Sequence, residues 1–381
     1  MKEPKPASLV NLGFLGLNPF VSLFSGCFCF PRAEMYFRLL LKCTLGAFSI
    51  DSMCNKEFES PDRLLFYMKR ASVEQVNGFS CLLFRSLFKK LKGYYDMSRG
   101  VWAALDVHSV PYYGLDDSYV FYTVKRKGSR VQKIKVHKYA TLAIVSRRFK
   151  YTIAAVSLKR NEHLEDAVDA LLCMIKGMVR IKIVLMDREF YNQHVLDTVE
   201  KHGLCYLIPV KWSKGMDLLY WLSDTSGKWI WPYTMKSRTE DRKTGETSSR
   251  VYKQITVYFY EMNVGVYQAF TTNRVMKRQS AESLMRVYDW RWNIENSYKD
   301  AENYAAKTST RNHAYRLLLF ILGHLMMNLQ ELSKKATKTC IRGKEMIMIF
   351  EILLETLAET ENEDDTPCKR IRLTKQLSVQ F

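Results

Sequence analysis

The sequence predicts an α/β fold: a mixed sheet flanked by helices, with a β-rich insertion and helical N- and C-terminal regions. Three observations carry this reading. Between Val101 and Val210, strand-like segments in series give way to alternating helix and strand, the order of a sheet with helices packed on its faces. From residue 211 to 275, turn residues separate stretches of period-two alternation. Beyond that, long runs without Gly or Pro carry apolar residues at helical spacing.

Residues 1–97 read as a helical region with helices at Met35–Phe48, Pro61–Arg70 and Val73–Leu91. The last ends in Lys89, Lys90 and Lys92 before Gly93, and the region reads equally as a DNA-binding module or as packing decoration. The apolar run Leu9–Phe30 is interrupted by Asn11, Asn18, Pro19, Ser22 and Ser25 and lacks an A-x-A site, so it fits neither a signal peptide nor a membrane anchor.

Residues 98–210 form the first part of the core. Strand Val101–His108 carries Asp106, and Pro111–Asp117 is turn-prone, with Asp116 and Asp117 suited to turn chemistry. Strands Val120–Arg126, Tyr139–Ser146 and Tyr151–Leu158 follow, separated by basic turns at Lys125–Arg130 and Arg147–Lys150, which suggests a meander. Asn161 caps a helix over Glu162–Met178. Ile181–Met186 is a buried-type strand ending at Asp187, Tyr191–His202 is a helix ended by Gly203, and Leu204–Val210 is a further buried strand.

The insertion, 211–275, has strands at Val251–Tyr260 and Val264–Thr272 and carries Trp212, Trp221, Trp229 and Trp231, for which a β-core role outweighs base stacking. Residues 276–335 return to the core as one long helix from Ala281, capped by Ser280, to Thr308, then a second at His313–Leu332. Residues 336–381 are a C-terminal helix and charged tail, acidic over Glu359–Asp365 and then basic at Lys369, Arg370, Arg372 and Lys375.

Of 381 residues, 58 are Lys or Arg against 39 Asp or Glu, a formal charge of +19. That excess favours a polyanionic partner. Nucleic acid fits better than an acidic membrane, because the basic residues are interleaved with strands and aromatics and form no single amphipathic helix. The nine cysteines are scattered, without a zinc pattern, and read as core thiols in a reducing compartment. His108, His137 and His324 have no metal-ligand spacing.

On the long helix, Tyr288, Arg291, Glu295, Tyr298 and Glu302 follow at three- or four-residue steps and share a face. Leu284, Val287 and Ile294 make an adjoining apolar stripe, so the polar face lies at the rim of the core. Asp106, Asp187 and Glu295 are then three carboxylates at sheet-adjacent positions, hard oxygen ligands that suit Mg²⁺ or Mn²⁺. Two such ions about 3.5–4 Å apart support in-line phosphodiester displacement. Singly, each acid has a structural alternative: a turn aspartate, an N-cap for the segment near Glu189, and an i,i+4 pair of Arg291 with Glu295 worth about 0.3–0.5 kcal/mol if exposed. Jointly these alternatives weaken.

The segments VLMDREFYNQHVLDTVEKHGLCYLIPVK around Asp187 and YDWRWNIENSYKD around Glu295, with ALDVHSVPYYG and the later HKYATLAI near Asp106, resemble the DDE transposases of prokaryotic insertion sequences, particularly archaeal-type members with a ribonuclease H-like catalytic domain. The likeness spans Val101–Leu332. It implies a metal-binding triad of Asp106, Asp187 and Glu295, with Tyr288 and Arg291 in the signature's tyrosine and arginine places. It also implies two Mg²⁺ or Mn²⁺ ions, cleavage at transposon ends, and joining of 3′-hydroxyls to target DNA. The partners implied are double-stranded DNA, as terminal repeats and target, and a second copy of the chain in the DNA complex; the location implied is the cytoplasm, at the nucleoid.

One position departs. The signature often has a lysine seven residues beyond the glutamate, where this chain has Glu302, and Lys299, or Lys307 with Arg311, are the cations nearby in sequence. Lys125, Arg126, Lys127, Arg130, Lys236, Arg238 and Arg242 are suited to tracking the DNA backbone. Two other readings stay open at this point: a metal-dependent, structure-specific nuclease on the same core, and a transposase-derived DNA-binding protein without catalysis.

Overall fold

The computed structural model describes residues 18–56, 60–127, 130–240, 247–263, 266–274 and 278–337. In chain order, the first helices are α1 (Asn18–Phe28), α2 (Ala33–Leu45), α3 (Ile50–Lys56), α4 (Pro61–Met68) and α5 (Val73–Lys92). Then come β1 (Val101–Pro111), β2 (Val120–Lys127), β3 (Arg130–Ser146), β4 (Phe149–Ser157), α6 (Leu164–Met174), β5 (Ile181–Met186), α7 (Gln193–Lys201) and β6 (Tyr206–Pro209). The remainder is α8 (Lys214–Ser226), β7 (Ile230–Glu240), β8 (Thr247–Asn263), β9 (Val266–Thr271), α9 (Arg278–Tyr288), α10 (Trp292–Glu302) and α11 (His313–Thr337). Two compact units result, one comprising Met97–Asn296 and the other built from the two ends of the chain, with the boundary falling inside α10.

In the helical unit, α5 begins with a reciprocal cap: Ser72 Oγ accepts from the Gln75 backbone N–H at 3.1 Å, and Gln75 Oε1 accepts from Ser72 N–H at 2.9 Å. Its stripe of Val76, Phe79, Leu83, Leu87 and Leu91 is fully buried. Helix α11, with Leu317, Leu318, Ile321, Leu322 and Leu325 also fully buried, packs against α5 and α2. Phe24 stacks on Phe37 at 4.6 Å and meets the edge of Phe79 at 5.6 Å. Fully burying each such side chain contributes about 1.5–3 kcal/mol. At the end of α5, Lys90 lies 5.0 Å from the Phe20 ring centroid, and burial pushes its ammonium down to about 8.

The second unit is a nine-stranded mixed sheet. Its centre has the order β4-β3-β1-β5-β6, with β4, β3 and β1 antiparallel and β1, β5 and β6 parallel. This is the ribonuclease H-like sheet that the resemblance implies. Strand β3 is long enough to hold two neighbours on the edge away from β1: β2 pairs with its first half, and β4 with Tyr139–Ser146. Gly100 fixes the start of β1. Its φ of 78° lies in the left-handed region, and a Cβ there would meet the Arg180 carbonyl oxygen at 3.0 Å, the atom that accepts from Val101 N–H. The residue just before β1 and the residue just before β5 thus come together, setting both strands to run side by side.

Several expectations change. The single helix from Ala281 to Thr308 is instead α9 and α10, separated by a 3₁₀ turn over Asp289–Arg291 and ending at Glu302. Of the basic segment Lys125–Arg130, read as a turn, Lys125–Lys127 continue β2 and Arg130 begins β3, because Lys127 pairs with Arg130. The helix expected over Glu162–Met178 is the shorter α6, capped by His163 and not by Asn161: Asp166 Oδ2 accepts from the His163 backbone N–H at 3.0 Å.

The insertion holds a helix, α8, closed by Gly227 at φ 67°, and a further strand, β7, which tolerates Pro232 because it is the edge strand. Its strands β9-β8-β7 continue the same sheet through β6. The cysteines are not uniformly core thiols, since Cys29 and Cys173 are exposed. No helix among the described residues is long and apolar enough to cross a membrane. Leu9–Leu17, Val264, Cys340, Cys368 and the charged tail lie outside the described residues.

Candidate active site

Two neighbouring parallel strands set the first two acids side by side. In the β1/β5 register Leu105 is opposite Met186, so Asp106 and Asp187 occupy the next positions along the two strands. Asp106 is 9% exposed and faces Thr141 in the β3 pairing. Burial pushes its carboxyl up to about 7, and the negative charges of Asp187 and Glu295 add to this; a hydrogen bond from Val107 N–H and the Arg291 charge oppose it. Four ionisable groups thus share one electrostatic neighbourhood.

Asp187 follows β5 directly. Its Oδ1 accepts from Glu189 N–H at 2.8 Å, capping the 3₁₀ turn Arg188–Phe190, whose Phe190 is fully buried. The capping role considered from the sequence is therefore real, and it engages Oδ1 but not Oδ2. Such a cap also fixes the carboxylate's direction.

Glu295 lies in the first turn of α10, held by Arg291 at 2.9 Å from Nη2 to Oε1. The arginine side chain is 8% exposed and the glutamate 34%, so this ion pair is not the exposed helical pair that would be worth only a few tenths of a kcal/mol. Arg291 Nε is buried with no hydrogen-bond partner among the described residues. The guanidinium also lies 5.7 Å from the Tyr288 ring and 5.2 Å from the Trp292 ring.

Three contacts moor this segment. The Tyr288 hydroxyl donates to the Met186 carbonyl at 3.1 Å, Asn293 Nδ2 donates to the Ser146 carbonyl, and Lys150 Nζ donates to the Asn296 carbonyl at 3.0 Å. Ile294 fills the core beneath. Burial pushes the Tyr288 hydroxyl up to about 12, so it stays a donor at neutral pH. The contributions of Asn293 and Lys150 were not evident from spacing, since their partners are backbone carbonyls far off in sequence.

Asp106, Asp187, Glu295, Tyr288 and Arg291 thus lie together. Lys299 and Glu302, on the second half of α10, are exposed, as are Lys307 and Arg311, and all four belong to the helical unit. Lys236 is exposed on β7. Lys125, Arg126, Lys127 and Arg130 have backbone positions on the β2–β3 hairpin and Arg238 on β7, but their side chains lie outside the described residues, as does Arg242 entirely.

A search of curated proteins finds no match. The family model of a transposase DDE domain matches residues 103–329, well over half of the chain, beginning within β1 ahead of Asp106 and running past Glu295 into α11. A match of that extent, over a ribonuclease H-like sheet with neighbouring acids on adjacent strands, means that this chain belongs to the family of the transposase DDE domain.

Proposed function

We propose that the protein cuts DNA at transposon ends and joins the freed 3′-hydroxyls to target DNA, with Asp106, Asp187 and Glu295 as the acids of the site. Membership in the family makes it a nucleic-acid-processing enzyme of the transposase type with DNA as its substrate. The observation that carries the finer reading is the mutual field of the three acids around a nearly buried Asp106.

The same observation supports a metal. Burial raises the Asp106 carboxyl and the neighbouring Asp187 charge adds to it, and a dication would offset both. The donors are hard oxygens, without thiolate or imidazole, as Mg²⁺ or Mn²⁺ require. In this proposal Asp106 and Asp187 hold one ion between them, and Glu295 with one of the aspartates holds a second. When bound, such ions supply charge neutralisation and lower the pKa of an attacking water or 3′-hydroxyl.

The remaining roles belong to the chain. Arg291 restrains the Glu295 carboxylate and keeps positive charge at the site for a phosphate. Tyr288 ties α9 to the backbone that leads into Asp187. The Asp187 cap aims its carboxylate. Lys299, Lys307 and Arg311, together with the basic residues of the β2–β3 and β7–β8 segments, contribute charge for the DNA backbone, in keeping with the chain's +19. Two copies acting together on paired ends complete the proposal.

The test is Mg²⁺- or Mn²⁺-dependent cleavage and strand transfer on the element's own terminal repeats, comparing the wild type with Asp187→Ala and Glu295→Ala. Variants that bind the ends but neither cut nor join support the assignment. Variants that cut like the wild type overturn the choice of residues, and a wild type that binds without cutting leaves a DNA-binding protein.

A further inference from the structure

On the helices that cover the sheet unit, three different metal-binding groups converge away from the acids. Asp169 and Cys173 are four residues apart on α6 and so share a face, and His202 is the residue that ends α7. Their ligand atoms all lie within 4.8 Å of one another. Asp169 is at the centre: Oδ1 is 2.8 Å from His202 Nε2, and Oδ2 is 3.8 Å from Cys173 Sγ. In a tetrahedral zinc site the ligand atoms stand roughly 3.3–3.6 Å apart, given metal bonds of about 2.0–2.3 Å. The 2.8 and 3.8 Å separations about Asp169 bracket that range.

We propose that Asp169, Cys173 and His202 form a Zn²⁺ site that clamps α6 to α7, with water as the fourth ligand. The donor set argues for the metal's identity. A thiolate and an imidazole disfavour Mg²⁺ and Ca²⁺, which take oxygen ligands, and suit a borderline ion such as zinc. Exposure leaves room for the water, because Cys173 is exposed and the His202 and Asp169 side chains are 17% and 42% exposed. Binding releases the thiol proton of Cys173 to solvent, and the neutral His202 imidazole would ligate through Nε2 with its proton on Nδ1.

The site is distinct from the three acids. Asp187 lies just past the C-terminal end of β5, whereas His202 closes the helix that returns the chain to the N-terminal end of β6, which runs parallel to β5. The two places are therefore at opposite ends of these neighbouring parallel strands. A zinc ion here ties together two helices on either side of β5 in sequence and takes no part in phosphoryl chemistry.

The experiment uses the full-length protein, treated with chelator under reducing conditions and titrated with Co²⁺ as a spectroscopic stand-in for Zn²⁺. The expected result is a thiolate-to-cobalt charge-transfer band that saturates at one equivalent and that excess Mg²⁺ does not remove, any cobalt held by the three acids giving no such band. Cys173→Ser abolishes the band, His202→Gln weakens binding at least about tenfold, and Asp106→Asn leaves the band intact. At a hundredfold excess over Kd, Zn²⁺ raises the wild-type Tm by roughly 5–10 °C and leaves that of Cys173→Ser unchanged. A wild type without the band overturns the proposal. So does a band that survives in Cys173→Ser, which would belong to another thiol, or unaltered affinity in His202→Gln.

Discussion

The Tyr288 hydroxyl donates to the Met186 carbonyl oxygen at 3.1 Å, joining the end of α9 to the last peptide before Asp187. Because the tyrosine is largely buried, its loss leaves that carbonyl without a partner that water easily replaces. Tyr288→Phe keeps the ring and its 5.0 Å edge contact with Phe270. It is expected to lower stability by about 1 kcal/mol in urea unfolding. Cleavage should slow by no more than about tenfold, because a positioning bond of that size controls little more. A loss as deep as that of Asp187→Ala would make Tyr288 part of the chemistry.

Glu295 and Arg291 are coupled by burial of the arginine. Glu295→Gln keeps the shape but removes the charge that faces a guanidinium only 8% exposed on its side-chain surface. The expected cost is roughly 1–3 kcal/mol, below that of a fully buried pair because the glutamate is about one-third exposed. Arg291→Met combined with Glu295→Gln should recover part of that loss, since no buried charge is then left over. Equilibrium unfolding of the two single variants and the double variant measures the coupling. Additive losses would mean that the pair contributes nothing to the fold.

Lys90 makes the stability of the helical unit depend on alkaline pH. Its folded-state pKa of about 8 is below the ordinary 10.5, so the folded state carries the full cost of a half-buried charge below about pH 8. The cost is relieved as pH rises from about 8 towards 10.5, and stability should climb across that window. Lys90→Met is expected to raise Tm at pH 7 by a few degrees and to lose most of that advantage near pH 10. Thermal melts of both proteins from pH 7 to 10 test this, and a constant difference would mean that Lys90 stays charged throughout.

The central sheet was legible because its strands are buried on both faces. Val101–His108 and Ile181–Met186 are short apolar runs bounded by turn residues, and each leads the eye to its aspartate. The break before α10 was not legible, since Asp289–Arg291 contains neither Gly nor Pro and every residue there tolerates an α-helix. Tertiary contacts made by Tyr288 and Asn293 accompany the tighter turn. Helix α8 falls in a stretch that reads as β-rich, although Ser213 before it and Gly227 after it are ordinary boundary signals. The Asp169, Cys173 and His202 cluster could not be read from spacing, because its histidine comes from a separate helix.

The register between β6 and β9 governs when the site can be assembled. Ile208 pairs with Thr271, so the excursion through α8, β7 and β8 leaves and rejoins the sheet at adjacent strands, about 4.8 Å apart. Asp106 and Asp187 depend only on pairings completed before that excursion begins. Glu295 arrives after it. During synthesis from the N-terminus, the nascent chain can therefore display two acids while the third is still to come, and closing this long-range pairing is a slow step by its topology. The excursion is in effect a timer on the glutamate.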